Sequence, residues 1–522
     1  MQVFGVIQTL EETVMRFPRK LKASFILAAL LLPLCGLLSC SKKAGTGASA
    51  ANTDSVTAPL SDTPSQFYVP KGAVFDVKYT DNTVRIDLAT VQKTLRSVSN
   101  DGRVMVFEAS DPRLVSLEKG KVLLLEHVGV RKILGVLKQG SQIALATDNA
   151  GLTDFIQDGR IEFSAPLDLQ MAHAQAMSPR AERNPLARIW DSLGLQGVVH
   201  ADGACGNPKE SRAGLQFKGE VDNWEFEVEG EPEGGNLLFC FNAAKKLSSL
   251  TASVKAKGEL EHINTTFKAV IHGGKMQDFE YESPIDGKLA VTWAALTSGA
   301  GAGIGEARLK FPPFWKDVID IYGLPFLFQA NGNLIFKPGF GGKHDAASGG
   351  FDINYHGSGG LSVHGNQSTP QGQMSGEPNM EKTTSESMAA HGVVIAVAAP
   401  KVTMSLGTDS FLEALKKVAP KGLLDKAAEG LEGGPFAALF KDAQENFFTI
   451  KGGAYLQLVT EFDYAGSGPL SLVPCSMTHL NMMAQAGADA TLLALSAGSP
   501  RLDLFKTSKV AREPDIPACG QK

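Results

Sequence analysis

Beyond residue 67 the chain returns again and again to one pattern, apolar and polar side chains alternating in short runs broken by Gly, Asn, Asp and Ser. Period-two alternation puts one set of side chains on each face of a strand, so each run predicts a half-buried strand. "AVFDVKYT" and "TVRIDLAT" alternate on either side of Asp81-Asn82, which predicts a hairpin. "VQKTLRSV" reads as a short helix ended by Gly102. It is followed by strands at "RVMVFEAS", "KVLLLEHV", "RKILGVLKQ" and "QIALATD", then a short helix "LTDFIQDG" and a strand "RIEFSA". Together they predict a β-rich module over residues 67–169.

Residues 170–212 carry a helical pattern and two prolines, as a connecting segment would. From 213 to 522 the alternation resumes as a meander through "LQFKGEVD", "WEFEVEGE", "NLLFCFN", "SLTASVKAKGELE", "NTTFKAVIH", "MQDFEYES" and "KLAVTWAAL". Asp286-Gly287 marks one hairpin turn, and Asn331-Gly332 marks another inside "GLPFLFQANGNLIFKP". The Gly, Ser and Gln-rich stretch 365–388 reads as a loop. Helix is expected only in an insertion at 409–448. There Ser410 and Glu413 form a capping box before "FLEALKKVA", which Pro420 ends. Phe436, Leu439, Phe440, Ala443 and Phe447 share one helical face. "GGAYLQLVTEFDYA" and "DATLLALS" close the chain as strands. The fold class expected is mainly β, a large antiparallel meander or sandwich with a smaller N-terminal module and a few short amphipathic helices.

The first forty residues break the pattern. Arg16, Arg19, Lys20 and Lys22 precede an apolar stretch from Ala23 to Leu38, and Ser39 precedes Cys40. A basic region, an apolar core and a small residue before a cut site make a secretory signal peptide. The stretch is shorter than the ~20 residues of a membrane span, and Pro33 interrupts it. Leu37-Leu38-Ser39-Cys40 resembles the lipobox of bacterial lipoproteins. That resemblance implies cleavage before Cys40 and acylation of its thiol and new amino group, as with palmitate. The membrane is then a partner through residue 40 alone. Residues 1–39 are the signal peptide, with Met1 or Met15 as its start, and 40–66, small and polar, are a flexible tether. Ser41 is not the aspartate that retains many such proteins at the inner membrane. The resemblance therefore implies an envelope protein of the outer membrane.

Charge is nearly balanced, 50 basic against 55 acidic residues, with no basic block after Lys43. That pattern argues against nucleic acid as a partner. An even number of cysteines in an exported chain suggests two disulfides, and proximity favours Cys205–Cys240 with Cys475–Cys519, one of three possible connectivities. No Cys-x-x-Cys, His-Glu-x-x-His, Gly-x-Ser-x-Gly or P-loop is present. No catalytic residue, cofactor or metal site is therefore assigned. Glu225, Glu227, Glu229 and Glu231 alternate with Trp224, Phe226 and Val228, which reads as a solvated strand face opposite Lys255 and Lys257 rather than a calcium ladder. His344, Asp345, Asp352, His356 and His364 fall in a glycine-rich hairpin with spacing that matches no metal motif.

One region stands out as a binding candidate. Gly299, Gly301, Gly303 and Gly305 would make one bare strand face, and Phe314, Trp315, Phe326 and Phe328 follow within a segment far richer in rings than the chain's 7%. These residues would either line a groove for an apolar ligand or fill the core. The sequence thus points to a lipid-anchored, mainly non-enzymatic envelope protein with a binding or structural role. A carrier of lipid or another apolar ligand is the first alternative, and a carbohydrate-active hydrolase built on two carboxylates the second. The anchor is directly testable. Cys40→Ser should abolish incorporation of labelled palmitate and leave an unprocessed precursor, whereas an acylated Cys40→Ser chain would remove the basis for the anchor.

Overall fold

A computed structural model describes residues 70–99, 101–166, 215–221, 223–233, 236–246, 250–261, 263–297, 307–340, 345–365, 367–386, 391–418, 453–467, 474–488, 501–516 and 519. Cys40 and the signal peptide, the tether, the connecting segment with Cys205, the four alternating glycines 299–305, His344, the helical residues after 418 and "DATLLALS" lie outside them.

Described strands in the N-terminal part are β1 (Val74–Tyr79), β2 (Thr83–Ile86), β3 (Leu95–Val98), β4 (Val104–Glu108), β5 (Val122–Leu125), β6 (Gly129–Gln139), β7 (Gln142–Asn149) and β8 (Ile156–Pro166). The central strands are β9 (Leu215–Val221), β10 (Trp224–Glu233), β11 (Asn236–Lys246), β12 (Leu250–Glu261), β13 (Asn264–His272), β14 (Lys275–Pro284) and β15 (Asp286–Thr297). Next come β16 (Ala307–Lys310), β17 (Trp315–Ile321), β18 (Leu324–Phe340), β19 (Ala346–His364), β20 (Gln367–Gln371), β21 (Met374–Met380) and β22 (Thr384–Glu386). The last are β23 (His391–Ser405), β24 (Gly453–Gly466), β25 (Ser476–Ala488) and β26 (Arg501–Glu513). Helices are short: α1 (Leu88–Thr94), α2 (Pro112–Val115), α3 (Leu152–Phe155) and α4 (Thr408–Val418). Asp87 caps α1 by accepting from the Thr90 N–H at 2.9 Å, and Asp111 caps α2 ahead of Pro112.

The strands form three sheets, and the chain is mainly β as its alternation predicts. A 13-stranded sheet runs β1-β8-β13-β14-β19-β15-β12-β11-β10-β9, with β20, β21 and β22 added to the flanks of β19. A seven-stranded sheet runs β16-β18-β23-β24-β25-β26, with β17 also on β18. Both are antiparallel and share one hydrophobic core, so they make a sandwich. Phe326 at the start of β18 packs on Phe163 of β8 and Phe267 of β13, whereas Phe336 near its end packs on Trp224 of β10. β12 and β13 run end to end beside β15 and β14, so β8 and β11 flank opposite ends of one long strand. β18 therefore runs along the strands it covers rather than across them.

The third sheet, β2-β5-β6-β7-β4-β3, belongs to the N-terminal module. Its strands and short helices pack on α4 and on Val318 and Leu327. Leu327 points away from the sandwich core because its neighbours Phe326 and Phe328 point into it. Loops at the junction are tied by buried polar groups. His127, at φ 63°, donates its backbone N–H to the Gly323 carbonyl at 2.8 Å, and its Nδ1 lies 3.0 Å from Asp320 Oδ2. The other Asp320 oxygen accepts from the Gly323 N–H. Arg131 is wholly buried, donating to Thr147 and Asn149 and lying over the Phe411 ring of α4. Burial pulls its guanidinium down to about 10, partly offset by Asp148.

Several sequence expectations change. β1 and β2 do not pair across Asp81-Asn82: β1 joins β8 in the large sheet, and β2 runs parallel to β5. The module's outer strands are thus continuous with the large sheet through the β8–β13 pairing. Asp286-Gly287 is not a hairpin turn either, because β14 and β15 run on end to end along one side of β19 and pair with it in a single continuous register. The segment around Asn331-Gly332 stays one strand, a bulge against β23 taking up the Asn-Gly. The actual turn before β18 is Tyr322-Gly323, both at positive φ. Much of 365–388 is strand, held by main-chain pairing to β19 with Met374 as its buried anchor. α4 begins at Thr408, so Ser410 lies inside its first turn and bonds back to Gly407 instead of forming a capping box. Glu413 pairs with Lys316 at 2.8 Å.

Candidate functional site

The four candidate rings all lie in the sandwich core. Phe314, Trp315, Phe326 and Phe328 are each no more than 2% exposed. Phe314 stacks on Phe239 at 4.9 Å, and Phe311 stacks on Phe241 at 4.8 Å. Gly230 is what lets the sheets close there, since a side chain on it would run into the Phe314 carbonyl. The rings therefore make a seam between β10–β11 and the segment leading into β17. The glycines proposed to line it lie outside the described residues.

The histidine and aspartate set disperses. Asp352, His356 and His364 share one face of β19, as alternation requires, but His364 pairs with Asp278 at 2.7 Å and His356 faces Asp286 at 3.7 Å. Asp345 is buried, its N–H donating to Thr297. Among the described residues no group of three or more His, Cys, Asp or Glu side chains is placed to hold a metal ion.

The polar face of the large sheet is the more informative place. On β10 the inner residues Trp224, Phe226 and Val228 are buried in the core, so Glu225, Glu227, Glu229 and Glu231 point outward. Lys255 and Lys257 point the same way on β12, but β11 intervenes. Register sets Glu227 beside Asn242, and Asn242 beside Lys255. The acids and amines thus reach across a strand rather than to a direct neighbour. Glu227 pairs with Lys218 of β9 at 3.2 Å, and farther along the face Glu259 pairs with Lys288 at 2.7 Å and accepts from Asn236.

This face is not the solvated surface that the alternation suggests. Cys240 is 0% exposed, Ser253 0%, Glu227 4% and Asn242 5%, although all four point away from the aromatic core. Ser253 Oγ and Asn242 Oδ1 have no hydrogen-bond partner among the described residues. Leaving a buried polar atom unpaired costs ~1–3 kcal/mol, so the patch is held at some expense to the fold. Burial, helped by Lys257, pulls the Lys255 ammonium down to about 8, with Glu227 and Glu229 opposing. A partly desolvated amine beside a hydroxyl and an amide can hold an anionic or hydrogen-bonding group. Alternation alone identified the charged residues, whereas Asn242, Ser253 and Cys240 emerge only from strand pairing.

Of the expected disulfides, Cys475–Cys519 is formed with Cα atoms 5.8 Å apart, and it fixes the C-terminal residues beside the start of β25. Cys240 is disulfide-bonded too, to a cysteine outside the described residues, and only the choice of Cys205 as that partner rests on the sequence.

The depressed Lys255 pKa carries a sign. Its charged form is disfavoured in the fold, so the unfolded chain binds more protons between about pH 8 and the ordinary 10.5. Relative to Lys255→Met, the wild type should gain stability as pH rises through that window, as read from urea midpoints. A flat difference across it would place Lys255 in water.

Residues 68–158, most of the N-terminal module, match the model of a family described as a domain of unknown function (DUF8403). No curated protein matches the chain. No solved structure matches it.

Proposed function

We propose that the chain is a lipid-anchored protein of the bacterial cell envelope, held by acyl chains on Cys40, whose β body has a binding or structural role. The observation that carries this over a lipid carrier is the seam. Rings that would have to line an apolar site pack instead against one another, Phe314 on Phe239 and Phe326 on Phe163 and Phe267. Burying such rings is among the largest contributions to a core, and a seam filled this way leaves them no free face for an acyl chain. The tether and the two-disulfide expectation for an exported chain support the same setting. Contacts with other envelope components would then fall to the outer faces.

The test separates the two readings. Residues 41–522, exported to a bacterial periplasm behind a signal peptide without a lipobox, are weighed by native and by denaturing mass spectrometry. The expected result is the same mass in both. A reproducible excess in the native spectrum, lost on denaturation, would favour the carrier.

A further inference from the structure

One polar cluster at the rim of the sandwich belongs to none of the sites above. Ser385, on β22, is exposed and sits where that short strand pairs with β19. His391 opens β23 and is 7% exposed. The Ser385 hydroxyl lies 2.6 Å from His391 Nε2, and the Tyr464 hydroxyl lies 3.2 Å from the same nitrogen. The imidazole is held in place by its neighbours. It stacks on Phe340 with ring centres 6.2 Å apart and planes at 6°, and it lies 5.5 Å from the Tyr464 ring.

We propose that Ser385 is a nucleophilic serine with His391 as its general base, forming an acyl-transfer site for carboxylic esters at this rim. A serine hydroxyl is a weak nucleophile until a base takes its proton in the transition state, and the required signature is a base within hydrogen-bond reach and fixed in orientation. Ser385 and His391 meet it: the serine is an exposed residue whose hydroxyl is turned to the imidazole, and the base is packed behind. A hydroxyl that donates to Nε2 sets the imidazole tautomer, with the other ring nitrogen carrying the proton.

In the reaction Ser385 Oγ attacks the ester carbonyl carbon while its proton passes to His391 Nε2. The new Oγ–C bond remains, the bond from carbon to the alcohol oxygen breaks, and His391 returns the proton to the departing alkoxide. Water attacks the acyl-serine through the same base, releasing the acid and restoring both groups. Tyr464 stands beside the pair. Burial lifts its ionisation above the ordinary phenol value against the opposing hydrogen bonds of Ser385 and Ser476, so it keeps its proton there.

The site goes beyond the envelope role and is tested independently of it. The full chain in detergent is treated with a fluorophosphonate probe, and adducts are located by peptide mapping. The expected result is one adduct on Ser385, absent from Ser385→Ala and slowed on the order of 10²-fold in His391→Gln. Hydrolysis of p-nitrophenyl acetate should fall in parallel. No adduct on the wild type, an adduct that persists in Ser385→Ala, or an unchanged rate in a folded His391→Gln would overturn the proposal. Ser385 is exposed, so its alanine variant should melt with the wild type, and that variant decides the matter even if His391→Gln does not fold.

Discussion

Everything in this molecule depends on two sheets meeting at a seam of stacked rings. Phe239 on Phe314 and Phe241 on Phe311 join one end of the large sheet to the loop feeding β17, and Phe351 and Trp293 on Phe462 join its middle to β24. Close approach is possible because small residues face large ones. Gly258 lies where a side chain would strike the Phe239 ring, as Gly230 does for the Phe314 backbone. Offset aromatic pairs add ~0.5–1.5 kcal/mol beyond the area that they bury, so a run of them fixes how the sheets cross as well as how firmly they hold. One strand, β18, supplies rings to both parts of the large sheet, Phe326 to β8 and β13 and Phe336 to β10.

The seam also settles how the N-terminal module is carried. One face of β18 points into the sandwich, which leaves Leu327 and the paired Val318 on the other face, and these are the residues on which the module and α4 pack. β8 continues from the module into the large sheet, and the His127–Asp320 and Arg131 networks fill the junction with hydrogen-bonded polar groups. Buried polar networks of this kind specify one arrangement over alternatives of similar apolar content. The module is therefore mounted as a fixed part of the body. The Ser385–His391 rim and the polar patch on β10–β12 belong to other parts of the same body.

The strands were legible in the sequence because burial on one face of a sheet imposes alternation directly, and the β9 to β12 meander is paired as that alternation implies. Partners farther apart were not legible. β12 pairs with β15 while β13 and β14 cross to β8 and β19, and no local signal records that choice. Asn331-Gly332 resembles a turn dipeptide, yet the surrounding apolar residues hold the chain straight and the bulge absorbs it. The polar strands β20 to β22 bury little beyond Met374, so composition made them a loop. The Cys475–Cys519 bridge follows from proximity in an exported chain. The Ser385–His391 contact has no sequence motif because it arises from two strand ends meeting at the rim, and the burial of Asn242 and Ser253 depends on what lies over a face that alternation marks as outward.

The claim that the rings are core rather than binding surface is tested most directly by a double-mutant cycle on Phe239 and Phe314, read by equilibrium unfolding in urea. Each alanine substitution should cost ~3–5 kcal/mol, and the pair should cost clearly less than the sum because the two rings stack directly on each other. Variants that unfold at the wild-type urea midpoint, or costs that add without coupling, would contradict it and return the seam to consideration as a ligand site.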